Sequence, residues 1–319
     1  NTMSVITKIL YFFTDIFLPI TAGYMLGRYF RKKSALFESM IKWNILTLVP
    51  LLSLLSFWVI KLEAGLLWLP VLGVVMQVIP GFVGSLHARR KYESPLDRGG
   101  YMMSAMLSNR GIIGMISVFI LYGEKGYAMV RLVMLFAGFM LYLIYFPIAR
   151  HYYSVHENSG ISKQPILRSL FNKNQAPVLG IIAGITLNIL KVGRPMLFTT
   201  IFSVCIHISI WLYLLPIGYS IDLQQVMTHL NSVWGIIPIK FIITPFVTYF
   251  AARLTGLEGP ALNIVLVLSM APTAVTALIT TKIHNLNFHL AMSAYLLTTA
   301  VYLFVIFPLV FLAFELGFI

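Results

Sequence analysis

Residues 104–114, SAMLSNRGIIG, place a polar cluster of Asn109, Arg110 and Gly111 at the centre of an apolar stretch. Each flank is about ten residues long, or roughly 15 Å as a helix, which is half the thickness of a bilayer's hydrocarbon layer. Neither flank spans alone, so Arg110 is predicted to lie near the middle of the membrane. A charge at that depth is costly and faces a cavity or a partner group. The stretch therefore predicts a membrane helix that is interrupted at a functional arginine.

The composition of the whole chain also indicates a membrane protein. The 319 residues have a mean hydropathy of +0.88, and only 10% of them are charged, whereas a soluble protein has about 25%. This excludes a soluble enzyme, a disordered protein and a nucleic-acid binder, although the formal net charge is +13. The single cysteine, Cys205, excludes an internal disulfide and a cysteine-based metal cluster. No metal site and no cofactor are predicted.

Ten apolar stretches are long enough to be membrane spans, since a spanning helix needs about 20 apolar residues. They cover residues 5–28, 38–58, 65–88, 98–122, 127–149, 174–190, 196–219, 231–253, 259–282 and 289–314. The predicted fold class is therefore all-α and integral to the membrane. The main basic clusters all fall on one side, at residues 28–33, 89–98 and 150–173. Basic loops stay in the cytoplasm, so we expect a multi-pass protein of the cell membrane with both termini outside.

The ten spans divide into two groups of five, residues 1–150 and 174–319, joined by a cytoplasmic linker at 151–173. An odd number of spans in each group gives the two copies opposite orientations. Sequence matches recur at an offset of 161 residues: Asp97 with Glu258, Leu107-Ser108 with Leu268-Ser269, and Phe146-Pro147 with Phe307-Pro308. The chain is therefore predicted to be an inverted repeat.

The ninth span contains a second interruption, in the stretch LSMAPTAVT at residues 268–276. Pro272 lacks a backbone donor and clashes with the preceding turn, so it breaks or kinks a helix. Two interrupted helices at matching positions of two repeats are typical of a transporter's binding site. The helix N-termini near Gly111 and Thr273 would offer free N–H groups to an anion. The alternative is a proline kink without function, because prolines occur in many of the spans.

Five further side chains are candidates for contact with a substrate. Lys240, in span eight, would pair with a carboxylate or act as a built-in counter-charge in place of sodium; alternatively it reaches to the membrane surface. Gln77 would hydrogen-bond at the interruptions. Asn44 would face the site or hold two helices together. Thr273 and Thr276 would donate to a carboxylate, or their hydroxyls would bond back to their own helix.

Asp15 is the one carboxylate well inside a predicted span. It is the candidate coupling residue if transport depends on protons or sodium, and its alternative role is a structural partner near the outer surface. His207, in span seven, is predicted to be a satisfied buried histidine. Because the predicted core holds cations rather than acids, uniport or exchange is favoured over ion coupling.

Three groups of residues carry a resemblance to a known family. They are Leu18-Pro19-Ile20 with residues 23–28 (GYMLGR), Asn109-x-Gly111-x-x-Gly114 followed by Tyr122-Gly123-Glu124, and residues 271–275 (APTAV). In these motifs the chain resembles the auxin efflux carrier family, which includes plant PIN-formed exporters and bacterial carriers of malonate or malate. The resemblance covers essentially the whole chain.

The resemblance implies a fold like those of sodium/proton antiporters and bile-acid transporters. Helices 1, 2, 6 and 7 would form a scaffold and helices 3–5 and 8–10 a transport domain, with helices 4 and 9 crossing and an elevator mechanism. It also implies organic-anion substrates and a homodimer through the scaffold helices, for which Gly-x-x-x-Gly faces at Gly23/Gly27 and Gly180/Gly184 give further support. Arg110 departs from the family, which has a small or uncharged residue there. It suggests a substrate more negative than a monocarboxylate, or an arginine neutralised by the protein.

Together the sequence predicts a secondary transporter of small organic anions in the bilayer, including dicarboxylates such as malonate or malate. A membrane receptor or sensor for an organic acid is one alternative. A proton- or sodium-coupled symporter of an auxin-like or other hydrophobic acid is another. The sequence contains no His-Glu-x-x-His motif and no paired aspartates within a span, so an enzyme is not expected.

Overall fold

A computed structural model describes residues 10–29, 34–61, 63–157, 176–221 and 229–318. These residues form helices, with one isolated antiparallel bridge between Ser108 and Thr273. The predicted linker is helical over its first residues, since a helix covers Phe146–Glu157. The rest of the linker, the first residues of spans one and six, and the basic residues 31–33 lie outside the described ranges.

Helices follow one another along the described chain with short connections. Up to residue 157 they are Leu18–Tyr29, Ser34–Leu46, Leu48–Val59, Leu69–Lys91, Pro95–Met106, Met115–Val133, Ala137–Met140 and Phe146–Glu157. After residue 175 they are Ala176–Ile189, Met196–Tyr219, Leu230–Val233, Ile236–Pro238, Thr244–Leu254, Gly259–Ser269, Val275–Ile283, Phe288–Val301 and Phe307–Glu315. A 3₁₀ turn, Ala64–Trp68, precedes the fourth of these helices.

Six helices of the described chain are long and apolar enough to cross a membrane. They are Ala35–Val59, Gly65–Lys91, Arg110–Met140, Met196–Tyr219, Leu230–Leu254 and Phe288–Glu315. Two shorter apolar helices, Ala176–Ile189 and Gly259–Ser269, accompany them. These helices indicate a membrane protein.

The difference from the ten predicted spans has local causes. Predicted spans four and nine are each divided into two shorter helices. The long helix Arg110–Met140 joins the end of span four to span five across Gly123, whose φ of 61° and ψ of −149° are not helical. Only glycine adopts this backbone readily, and Gly123 lies between the predicted ends of the two spans. The arrangement of ten spans as an inverted repeat stays a prediction.

The chain forms two compact units that do not follow the two halves of the sequence. Unit 1 consists of Asn1–Glu63, Met115–Arg131 and Phe171–Ile221. Unit 2 consists of Ala64–Gly114, Leu132–Leu170 and Asp222–Ile319. Unit 1 thus holds the predicted spans one, two, six and seven, and unit 2 holds spans three, eight, nine and ten. Spans four and five contribute to both units.

Close helix packing in unit 1 uses both Gly-x-x-x-Gly faces. A Cβ atom on Gly23 would lie 2.1 Å from the carbonyl oxygen of Leu215, and one on Gly180 would lie 2.1 Å from that of Pro50. The first predicted span therefore packs against the seventh, and the sixth against the second. Since both glycine faces are occupied within the chain, they give no support to the predicted homodimer, which rests on the family resemblance alone.

Four π-helical segments each end two residues before a proline. The segments are Phe12–Phe17, Leu141–Tyr145, Ile239–Ile243 and Tyr302–Ile306, and the prolines are Pro19, Pro147, Pro245 and Pro308. Proline has no N–H, and its ring clashes with the carbonyl four residues earlier. A bond over five residues, such as that from the Phe307 N–H to the Tyr302 carbonyl, accommodates the ring. The helix therefore continues past these prolines.

Candidate functional site

Two helix interruptions pair with each other in unit 2. The first, Leu107–Asn109, follows the helix Pro95–Met106, and the second, Met270–Ala274, follows Gly259–Ser269. We call them the paired breaks. The Asn109 N–H donates to the Pro272 carbonyl at 2.7 Å, and the Ala274 N–H donates to the Leu107 carbonyl at 2.8 Å. Backbone that leaves a helix inside a membrane must be satisfied by protein or water, and here each break satisfies part of the other.

Arg110 begins the helical segment that follows the first break, and its side chain is buried. Its Nη1 donates to the Gly73 carbonyl at 2.8 Å, the same oxygen that accepts from Gln77 Nε2 at 3.3 Å. The buried Nε has no hydrogen-bond partner among the described residues. The guanidinium is therefore buried and retains at least one free donor.

Lys240 lies in the π segment before Pro245 and is completely buried. Its Nζ donates to the Ser108 Oγ at 2.7 Å and to the Leu107 carbonyl at 3.2 Å. Both partners belong to the first break. The structure thus brings Lys240 to the interruption, and the alternative in which it reaches to the membrane surface is wrong.

Asn109 contributes a second unsatisfied donor at the same place. Its side chain is buried, and its Nδ2 has no hydrogen-bond partner in the described chain. Its backbone is engaged, because the carbonyl accepts from the Gly114 N–H at 2.9 Å. Its side-chain amide is therefore available to a ligand, while its main chain holds the break in place.

The remaining predicted residues of unit 2 differ in their availability. Thr273 is buried, and its hydroxyl donates to the Ser104 carbonyl at 2.9 Å, while its N–H donates to the Thr298 hydroxyl at 3.0 Å. Its hydroxyl proton is therefore committed to the fold. Thr276 is exposed in the helix after the second break. Gly111 is partly buried, and a Cβ atom there would lie 2.9 Å from Met134.

Asn44 and Asp15 belong to unit 1. The buried Asn44 Nδ2 donates to the Ser209 carbonyl at 2.8 Å, which matches the predicted alternative of a contact between helices. The Oδ2 of the buried Asp15 lies 2.6 Å from His207 Nδ1. Asp15 therefore has a partner that the sequence could not identify, since the two residues are far apart in the chain.

Sequence reasoning missed three contributors to these sites. In the sequence, Ser108 stands out only as part of a match between the two halves, and Gly73 does not stand out. Ser108 nevertheless supplies an acceptor to Lys240, and Gly73 supplies one to Arg110. Glu124 forms a bidentate ion pair with Arg194 in unit 1, at 2.5 and 3.1 Å. A serine next to the Asn-Arg-Gly cluster was the available signal for Ser108. No sequence pattern connects Gly73 or Arg194 with its partner.

The site at the paired breaks is rich in donors, and none of the described residues supplies it with an acid. Among the described residues, close contacts between basic and acidic side chains join Arg194 to Glu124, His207 to Asp15 and Arg253 to Glu258, and neither Arg110 nor Lys240 takes part in one. The described residues also contain no group of three or more acidic, histidine or cysteine side chains that could hold a metal ion. Chemically, the arrangement suits the binding of an anion.

Comparison with known proteins adds no relative. No protein-family model matches the chain, and no curated protein matches it. The resemblance to auxin efflux carriers therefore stays a prediction from the motifs in the sequence.

Proposed function

We propose that this protein is a secondary transporter of small organic anions. The substrates would be carboxylates, with dicarboxylates such as malonate and malate as first candidates, and the mechanism would be elevator-type alternating access. One observation carries the proposal. Two buried basic side chains, Arg110 and Lys240, meet the paired breaks without a carboxylate partner among the described residues.

The free-energy cost of buried positive charge favours a bound anion at this site. An isolated ion inside a protein is strongly disfavoured unless it is paired and hydrogen-bonded. Arg110 and Lys240 have backbone and hydroxyl acceptors but no ion-pair partner in the described part of the chain, and the amide of Asn109 adds a free donor. A carboxylate that enters from solution would supply both the missing charge and the missing acceptors. Two cations favour a dianion over a monoanion.

The architecture supports a carrier rather than a simple pore. We propose ten spans arranged as two inverted repeats, with the interrupted spans four and nine crossing at the paired breaks. The reciprocal packing of spans one with seven and six with two supports this symmetry. So does the recurrence of a π segment before both Pro147 and Pro308, which lie at the predicted offset. Interrupted helices around a central site are the pattern of alternating-access carriers.

Uptake into proteoliposomes tests the proposal. Purified protein is reconstituted, and the entry of radiolabelled malonate and malate is measured with pH, sodium and voltage controlled separately. We expect saturable uptake by the wild type and a loss of about a hundredfold or more in Arg110→Ala, because one buried charged contact is worth about 3 kcal/mol. Arg253→Ala is the matched control, since Arg253 is an exposed arginine of the same unit, and it should transport normally.

Three results would count against the proposal. Normal uptake by correctly folded Arg110→Ala would remove Arg110 from the site. Absence of uptake of either acid by folded wild type would remove the dicarboxylate assignment. Saturable binding without flux would favour the alternative of a receptor or sensor for an organic acid.

A further inference from the structure

We propose that Lys240 takes up a proton when the organic anion binds, so that the protein carries the anion together with a proton. The inference rests on the proposed function and names the group that would couple it to protons. The reaction at the site is simple: the neutral Lys240 amine, one proton released by the buffered solution and the dicarboxylate form an ammonium–carboxylate pair. Release on the other side reverses the reaction and delivers the proton there.

The hydrogen bonds of Lys240 match a neutral amine in the empty site. An ammonium group has three N–H donors and no acceptor. The structure provides two partners, the Ser108 Oγ at 2.7 Å and the Leu107 carbonyl at 3.2 Å. A neutral amine satisfies this arrangement by donating to the carbonyl and accepting from, or donating to, the hydroxyl. The described residues supply no third acceptor for an ammonium, and a bound anion would provide it.

The charges around Lys240 point the same way. Arg110, on the segment that follows the first break, is the charged group with which Lys240 interacts. Arg110 in turn interacts electrostatically with Tyr145. Farther along the helix Leu69–Lys91, which packs against the segment of Lys240, the titratable His87 stacks on Tyr101 with ring centroids 5.3 Å apart. On the helix that follows Lys240, Arg253 is exposed and pairs with Glu258.

An empty site with both Arg110 and Lys240 charged would place two positive charges together in a buried place without a counter-ion, which is strongly unfavourable. Arginine keeps its proton under practically all conditions, whereas lysine can lose it when buried. The group that adjusts is therefore Lys240. A bound dianion reverses the balance, because it attracts two cations better than one. Binding of the anion and protonation of Lys240 then favour each other, as linkage requires.

Isothermal titration calorimetry in paired buffers tests this directly. Malonate is titrated into purified wild-type protein at neutral pH, in one buffer with a small and another with a large ionisation enthalpy. The difference in observed heat gives the number of protons taken up. We expect about one proton per malonate, as linkage at a single group requires. In Lys240→Arg, which carries a permanent charge, malonate should bind without proton uptake.

Two further variants make the assignment specific. Lys240→Gln should also show no proton uptake and should bind malonate at least tenfold more weakly. Lys282→Gln changes an exposed lysine of the same unit and should keep the wild-type proton number. Since Lys240→Arg retains the charge, it tests the inference even if Lys240→Gln does not fold.

The outcomes separate the two proposals. Malonate binding without proton uptake by the wild type would overturn the role of Lys240 and leave anion transport standing. Proton uptake that persists in Lys240→Arg would place the proton on another group and would also overturn the inference. Failure of the wild type to bind malonate or malate would overturn the proposed function and, with it, the coupling.

Discussion

Basic side chains find their partners in two different ways in the two units. In unit 1, Arg194 is held by both oxygens of Glu124, and His207 lies 2.6 Å from Asp15. In unit 2, Arg110 and Lys240 donate hydrogen bonds to carbonyl and hydroxyl oxygens. Unit 1 thus contains its own counter-charges, whereas the site in unit 2 lacks one among the described residues.

The difference suggests a division of labour. A charge pair inside one unit fixes helices relative to each other and needs nothing from solution. A buried cation without a counter-charge is stable only when something else supplies the negative charge, and its state then depends on the solution. The first arrangement suits a rigid part of a protein, and the second suits a ligand site. Variants that alter a charge pair of unit 1 or the site of unit 2 can test this division.

The largest effect on stability is expected for Glu124→Gln. The variant leaves Arg194, whose side chain is 8% exposed, without its carboxylate. Removing one partner of a partly buried pair leaves the other charge poorly solvated, so the free energy of unfolding in detergent should fall by about 2 kcal/mol. Arg253→Ala breaks an exposed pair and should leave unfolding nearly unchanged. If both variants unfold like the wild type, the pairs of unit 1 do not stabilise it as argued.

A negative charge introduced beside Arg110 should give unit 2 the counter-charge that unit 1 already has. Gln77 and Arg110 share the Gly73 carbonyl, so Gln77→Glu places a carboxylate beside the guanidinium with almost no change in shape. We expect the empty protein to become more stable and malonate affinity to fall about thirtyfold, which corresponds to about 2 kcal/mol. Both quantities are measurable by calorimetry and thermal unfolding. The control Gln77→Met should bind malonate nearly as well as the wild type. If Gln77→Glu also binds malonate with wild-type affinity, the anion lies away from Arg110.

At the paired breaks, loss of an unpaired polar group should weaken malonate binding, whereas loss of a hydrogen-bonded group should lower stability. Asn109→Ala removes an unpaired donor, so malonate affinity should fall about tenfold, or about 1.4 kcal/mol, with little effect on unfolding. Thr273→Val removes a hydroxyl that satisfies a carbonyl in the last turn of a helix. It should destabilise the protein by about 1 kcal/mol with affinity unchanged. The opposite pattern would exchange the roles assigned to these residues.

The contents of the site were largely predictable from the sequence, but its internal contacts were not. A polar cluster at mid-span and a proline at the matching position identify the two interruptions, because both features conflict with a continuous apolar helix. Lys240 could be singled out because a lysine in an apolar stretch is expensive. The hydrogen bonds from Lys240 to Leu107 and Ser108 join segments more than a hundred residues apart, and no local pattern encodes them.

The prolines show why local rules did not settle the fold. Pro272 lies in a break, whereas Pro147, Pro245 and Pro308 lie in continuous helices that change to a π pitch just before them. The same residue type has both outcomes, because the result depends on whether neighbouring segments can satisfy the freed backbone groups. At Pro272 the first break does so through the Asn109 N–H. Only the packed structure contains that information.

The smallest expected effect concerns His284, which lies between two helices of unit 2 and outside the spans. Burial, together with the charge of Arg150, lowers the pKa of His284 to about 4 from 6.5. The folded protein therefore binds this proton less readily than the unfolded chain does. The contribution of His284 to stability is complete above about pH 6.5 and is lost as the pH falls towards 4.

Unfolding of His284→Gln across this range measures the effect. The variant should lose less stability than the wild type between pH 6.5 and pH 4, while His151→Gln, an exposed control, should follow the wild type. A steeper acid loss in wild type would mean that unit 2 keeps a histidine neutral beside an arginine, as argued for Lys240 beside Arg110. Parallel curves for His284→Gln and wild type would instead show that unit 2 tolerates another positive charge, and would weaken the contrast with unit 1.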